Sequence, residues 1–316
     1  MNVIHTRVAK LMCLLALVAC LVGLWLMHQV PAIHFAPLSG KQTEPGQLDK
    51  TPNPLRSRPS PCTSIPTEKL LSTPTKEEAM RHPITLTVVY DNNPFDARLK
   101  TAWGFACIVE TDEATVLFDT GGDGPTLMGN LSTLGIDPRR IDIVFLSHYH
   151  ADHTGGLDAL LNFAEPRAVY VPQSFPSDFK EHVAKRVRQV IEVHEPLMIT
   201  DQIRTTGELG TSIIEQSLIV ETSKGLVVIT GCAHPGIVEI VRWAKTYGEV
   251  YLALGGFHLM NESASRLKSV VAALKELGVQ EVAPCHCTGN EARQLFSTEF
   301  GTKFIPTGVG TVITRD

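Results

Sequence analysis

An α/β fold with its site at the strand ends is predicted from three features of the sequence. Apolar, β-branched runs alternate with segments of helical spacing over residues 84–316. Several of those runs end in glycine-bearing loops, and the same loops carry Asp119, His148, His234 and His258. Strands alternating with helices imply sheets covered by helices. Polar groups gathered at strand ends are where such folds build sites.

The chain has 316 residues, a net charge of −5 and 43% apolar residues, an ordinary globular composition. Residues 1–30 differ from the rest. Arg7 and Lys10 precede the uncharged run Leu11 to Met27, seventeen residues that Val30 to Ile33 could extend. That length just spans a bilayer. The positive flank fits a signal anchor with the C-terminal body on the extracytoplasmic side. A cleaved signal peptide fits the charged start but not the length of the run. Leu17-Val18-Ala19-Cys20 also resembles a lipoprotein processing site, yet the chain stays apolar for seven residues after Cys20. The anchor is the reading adopted here.

Residues 31–83 read as a linker. They hold ten of the twenty prolines, interspersed with Ser, Thr, Lys and Glu. Such a composition cannot bury enough apolar surface to offset its ordering entropy, and the segment is expected to tether the body to the membrane.

The body, residues 84–316, suits one domain. Ile84–Tyr90 alternates as a strand and Asp91-Asn92-Asn93-Pro94 breaks it. Trp103–Glu110 and Thr115–Phe118 read as strands, and the second runs into Asp119-Thr120-Gly121-Gly122-Asp123-Gly124, a tight loop. Pro125 opens a helix that Gly135 stops. Ile141–Leu146 is a buried strand, followed by Ser147-His148-Tyr149-His150-Ala151-Asp152-His153-Thr154-Gly155-Gly156. Leu157–Phe163 reads as a helix, Ala168–Val171 as a strand and Asp178–Arg186 as a polar helix. Pro172, Pro176 and Pro196 interrupt the segment 172–210, which is expected to form a lid. Gly225–Thr230 is a strand ending in Gly231-Cys232-Ala233-His234-Pro235-Gly236, and Ile237–Tyr247 has helical apolar spacing. Val250–Leu254 is a strand ending in Gly255-Gly256-Phe257-His258. Ser263–Leu277 is an amphipathic helix, and Val279–Val282 a strand ending in Pro284-Cys285-His286-Cys287-Thr288-Gly289.

The loop after Leu146 carries the chemistry. Four potential metal ligands, His148, His150, Asp152 and His153, fall within six residues. Three imidazoles and a carboxylate on so short a loop cannot all reach one ion, so two adjacent ions are the natural solution. The ligand types suit zinc first, with iron and manganese as rivals. A merely polar, His-rich loop is a poor account of H-x-H-x-D-H followed by Thr154-Gly155-Gly156. His182 and His194 read as surface residues. Seven cysteines give no disulfide framework, and Cys232, Cys285 and Cys287 lie beside histidines as buried or metal-proximal thiols. Nothing in the charge pattern suggests nucleic acid; Arg139-Arg140 and the basic residues of 185–188 read as solvated faces.

These motifs resemble the metallo-β-lactamase superfamily over residues 84–316. Phe118-Asp119-Thr120-Gly121, the Ser147–Gly156 loop, Gly231–Gly236, Gly255–Leu259 and Pro284–Gly289 are most similar to its dihydropteroate-synthase-like group, the dihydropterin–ribofuranosylaminobenzene phosphate synthases. The resemblance implies a four-layer αββα sandwich with a dinuclear site at one edge of the two sheets. Residue by residue, it implies that His148, His150 and His234 hold one ion and that Asp152, His153 and His286 hold the other. It gives Asp119 a role in orienting a ligand. The superfamily's bridging aspartate is missing: the strand ends in Gly256-Phe257-His258. Either His258 or Cys232 fills the gap, or the second ion is held more weakly.

The function expected is metal-dependent hydrolysis of an ester, phosphoester or related bond in a small molecule, with Asp152 and His258 as catalytic residues. The alternative that the resemblance implies is a transferase joining a dihydropterin pyrophosphate to an arylamine phosphate. Diiron oxygen or nitric-oxide reductases of the same fold typically replace the second loop histidine by glutamate and carry a flavin module, and His150 argues against that class. A non-catalytic metal-binding protein is the remaining reading.

Overall fold

The computed structural model describes residues 83–316. The expected anchor, and the linker apart from Pro83, lie outside the described residues. Among the described residues no helix is long and apolar enough to cross a membrane.

Two sheets form the body. The first comprises β1 (Ile84–Tyr90), β2 (Ala106–Glu110), β3 (Thr115–Phe118), β4 (Ile143–Phe145), β5 (Ala168–Pro172), β6 (Val190–Val193) and β13 (Val312–Arg315), in the order β13-β1-β2-β3-β4-β5-β6. The second comprises β7 (Leu197–Met198), β8 (Ile203–Thr205), β9 (Leu218–Thr222), β10 (Gly225–Thr230), β11 (Val250–Gly256) and β12 (Glu281–Cys285), in the order β12-β11-β10-β9-β8-β7. Seven α-helices accompany them among the described residues: α1 (Gly124–Leu134), α2 (Ala151–Thr154), α3 (Leu157–Leu160), α4 (Ser177–Ala184), α5 (Ile237–Ala244), α6 (Ala264–Glu276) and α7 (Asn290–Phe300).

Successive side chains of a strand face opposite ways, and here both faces are covered. Phe118, Phe145, Val227, Ile229, Leu252 and Leu254 meet in a core between the sheets. Their neighbours turn outward. Leu117 and Val144 pack against Leu127 and Leu131 of α1 and Leu157 and Leu160 of α3, while Val228 and Ala253 pack against α5, α6 and α7. The order helix, sheet, sheet, helix follows, and it explains why the strands read as continuous apolar runs. Phe118 and Phe145 stack at 5.4 Å between ring centroids, each contributing roughly 1.5–3 kcal/mol by burial.

Local signals set the helix ends. Asp123 accepts a hydrogen bond from Thr126 N at 2.7 Å and caps α1. Gly135 closes it in the left-handed conformation at φ 72°. Ser263 caps α6 in the same way through Arg266 N.

Two expectations need correction. The sequence reading makes 172–210 a lid, but the segment supplies α4, then β6 at an edge of the first sheet, then β7 and β8 at an edge of the second. Its prolines punctuate the crossover between sheets. The second strand begins at Ala106 rather than Trp103, because Phe105 N turns aside to donate to Asp152 O at 3.2 Å.

Candidate metal centre

Parallel strands bring the site loops together. β3 pairs in parallel with β4 in one sheet, and β10, β11 and β12 pair in parallel in the other. Their carboxyl ends deliver Asp119, His148, His234, His258 and His286 to one edge of the sandwich. Backbone φ is positive at Asp119 (55°), Ala233 (60°), His258 (48°) and His286 (47°). Such values cost energy outside glycine and cluster where a fold is shaped for function.

The His-rich loop turns directly into α2. His150 O accepts from His153 N and Thr154 N at 3.0 and 3.1 Å, which fixes Asp152 and His153 on one short turn. The following Gly155-Gly156 pair permits close packing on the Asp119 loop. A Cβ at 155 would lie 2.2 Å from Gly122 O, and one at 156 would lie 2.1 Å from Thr120 O.

Two ligand sets emerge. Nitrogen atoms of His148, His150 and His234 lie within 4.8 Å of one another, and so do the ligand atoms of Asp152, His153 and His286. Every residue named from the sequence as a metal ligand is therefore in this cluster. In the first set His148 Nε2 faces His150 Nδ1 at 3.0 Å. In the second, Asp152 Oδ2 lies 3.7 Å from His153 Nε2 and 3.4 Å from His286 Nε2.

The other ring nitrogens are committed elsewhere. His148 Nδ1 donates to Ser147 Oγ at 2.9 Å, and Ser147 Oγ donates to Asp119 Oδ2 at 2.7 Å. His153 Nδ1 donates to Asp119 Oδ2 at 2.7 Å, His234 Nδ1 to Glu215 Oε2 at 2.9 Å and His286 Nδ1 to Asn92 Oδ1 at 2.9 Å. Each bond fixes a tautomer whose Nε2 lone pair points into the cluster, as metal-binding imidazoles require. His286 Nε2 is buried and makes no hydrogen bond, which costs energy unless a ligand completes it. The donor set and this orphaned nitrogen both fit divalent metal ions.

The electrostatics agree. Burial pushes His148 and His153 down to about 3, so both are neutral and able to ligate. Burial alone would raise Asp152, but the close approach of the His286 and His153 imidazoles holds it well below the ordinary carboxylate value. Burial likewise pushes Asp119 up to about 8, against opposing bonds from Ser147.

Asp119, expected to orient a ligand, accepts from Ser147 N, Ser147 Oγ and His153 Nδ1. His258 lies on the rim, exposed, with its ring 4.6 Å from that of His234. His182 and His194 are surface residues paired with Asp158 and Glu208, each at 2.8 Å. Three residues were not singled out from the sequence. Glu215 is wholly buried and accepts from the backbone of Gly231, Cys232, Ala233 and His234. Asp91 accepts from His286 N at 3.1 Å, beside Asn92. A carboxylate in an apolar stretch, Ile213-Ile214-Glu215, was the available signal for Glu215; Asp91 and Asn92 read only as a strand break.

A two-sheet sandwich with histidines and aspartate at the ends of its parallel strands defines a metal-dependent metallo-β-lactamase-type domain. The profile of the metallo-beta-lactamase superfamily matches residues 104–241. The 7,8-dihydropterin-6-methyl-4-(beta-D-ribofuranosyl)-aminobenzene-5'-phosphate synthase of Methanocaldococcus jannaschii is 28% identical over 278 residues, covering 72% of this chain and 95% of its own. The crystal structure of Tm1679, a metal-dependent hydrolase of the beta-lactamase superfamily, is 28% identical with a TM-score of 0.61, covering 73% of this chain and 98% of Tm1679. The metallo-beta-lactamase fold protein YhfI from Bacillus subtilis shares the fold at 16% identity and a TM-score of 0.56, over 74% of this chain and 100% of YhfI.

Proposed function

We propose that this chain is a metal-dependent hydrolase acting on an ester, phosphoester or related bond of a small molecule. The observation that carries the reading is the pair of ligand sets meeting at one edge with their lone pairs turned inward. His148, His150 and His234 would hold one divalent ion and Asp152, His153 and His286 the other, zinc first, with manganese or iron as alternatives. Such a pair supplies Lewis-acid polarisation of a substrate oxygen and water acidified towards neutral pH. Asp152 Oδ2, ionised and partly open to solvent, orients the attacking water by accepting its hydrogen bond. His258 at the rim is placed to give a proton to the leaving group. Chelation should abolish turnover in a screen of ester and phosphoester substrates, and zinc or manganese should restore it. Full activity in the metal-free protein would sink the reading.

A second reading is transfer of a dihydropterin pyrophosphate to an arylamine phosphate. The similarity to the synthase favours it, as does a cavity of about 260 Å³ lined by Trp103, His258, Met260, Asn261 and Cys287. Trp103 is half exposed, 5.0 Å from the ring of His286, and offers a face for a flat aromatic ligand. Pyrophosphate release that requires the arylamine would favour transfer; release without it would favour hydrolysis. We further propose that Leu11 to Met27 anchors the chain in a membrane with this domain on the extracytoplasmic side. Recovery of the full chain in the soluble fraction, uncleaved, would refute the anchor.

A further inference from the structure

We propose that Cys232 is a seventh ligand and that its sulfur is shared by both ion positions. The proposal rests on the two-ion reading above. Cys232 Sγ lies within 4.8 Å of ligand nitrogens of His148 and His153 together, of His234 and His258 together, and of His286 with Cys287 Sγ. It thus neighbours His148 and His234 of the first set and His153 and His286 of the second. The contact with His153 Nε2 is 3.3 Å.

The two other side chains available for that place reach only one side. Among the described residues, His258 clusters with Cys232 and His234 of the first set, and Cys287 with Cys232 and His286 of the second. The end of β11 cannot supply a carboxylate, because a Cβ on Gly256 would stand 2.4 Å from Gly231 O and 2.7 Å from Cys287 Sγ.

The backbone at Cys232 is fixed by the carboxylate that also fixes His234. Cys232 N donates to Glu215 Oε1 at 3.0 Å, and the same carboxylate holds His234. One buried group therefore positions a ligand of the first ion and the shared sulfur. On binding, the thiol proton leaves to solvent and the thiolate donates one lone pair to each ion, with no change of oxidation state. Thiolate is a soft donor that favours zinc over magnesium or calcium.

The test reads sulfur directly. Zinc-edge X-ray absorption of the full-length, zinc-loaded protein should give about one sulfur neighbour per zinc, at about 2.3 Å. A sulfur bound to only one of two ions would give about half that value. The cobalt-loaded protein should show a thiolate-to-cobalt charge-transfer band in the near ultraviolet. Cys232→Ser should lose that band and bind the second ion about tenfold to a hundredfold more weakly. Cys287→Ser and the buried core variant Cys107→Ser should keep the band. Two bound ions with no sulfur neighbour in the wild-type protein would overturn the bridge alone. A band that survives in Cys232→Ser and disappears in Cys287→Ser would also overturn it. A chain that binds no ions at all would overturn the function proposed above. The wild-type absorption measurement decides the matter even where a variant fails to fold.

Discussion

Glu215 and His234 meet at 2.9 Å through Oε2 and Nδ1, with both carboxylate oxygens buried beneath the loop after β10. The other oxygen receives the amides of Gly231, Cys232 and Ala233. A single carboxylate thus folds the loop and turns one imidazole towards the cluster. Burial would raise Glu215, but the bonds from His234 outweigh it and keep the group ionised. Glu215→Gln should weaken the first ion by about tenfold to a hundredfold and destabilise the fold by about 1–3 kcal/mol. Metal competition titration and urea unfolding measure the two effects. Unchanged metal affinity would remove Glu215 from the site.

His286 is the candidate ligand whose buried Nε2 has no hydrogen-bond partner in the protein. His286→Ala should reduce bound metal from about two equivalents to about one, sparing the first histidine set. Elemental analysis after dialysis checks this. Two equivalents retained would move His286 out of the centre.

Gly256 lies where β11 passes closest to the loop after β10. Gly256→Ala should cost about 1–3 kcal/mol, because the new methyl meets the carbonyl of Gly231 and the sulfur of Cys287. Thermal unfolding would show the loss as a lower midpoint. A neutral substitution would mean that the two loops can separate.

A pH effect remote from the site is expected at Glu281. Arg315 of β13 donates to it at 2.5 Å and Tyr251 of β11 at 2.9 Å, which clamps the edges of the two sheets together. Burial raises this carboxyl, but the bonds from Arg315 and Tyr251 prevail and hold it below its ordinary 4.5. A carboxylate lowered by folding stabilises the protein above its unfolded pKa, and that stability is lost as pH falls through the folded value. Wild type should therefore exceed Glu281→Gln by up to about 1 kcal/mol near neutrality, reduced by solvent screening. The difference should vanish well below pH 4.5. A difference independent of pH would show that packing, not charge, makes the clamp.

Much of this was legible in the sequence because the period of a strand and the chemistry of a ligand are local properties. The apolar run into Leu146 and the His148–His153 cluster marked a strand followed by a metal loop without help from distant residues. The Pro125 start and the Gly135 stop marked α1 in the same way. The edge strands were harder. Val190–Val193 and Leu197–Met198 are short and partly exposed, so their pattern is too weak to distinguish a crossover from a lid.

By itself, then, the sequence determined the class of fold and the strand-end loops that carry Asp119 and the six metal-ligand candidates, since each is written in a strand run and the loop that follows it; the grouping of the ligands and an orienting role for Asp119 came from the resemblance. Tertiary structure alone decided the rest. Glu215, Asn92 and Asp91 serve histidines up to 195 residues away, and no local pattern records such a pairing. The same holds for Cys232. In the sequence it is one of two candidates for a missing carboxylate; in the fold, parallel pairing of β10, β11 and β12 sets its sulfur between the two ligand sets.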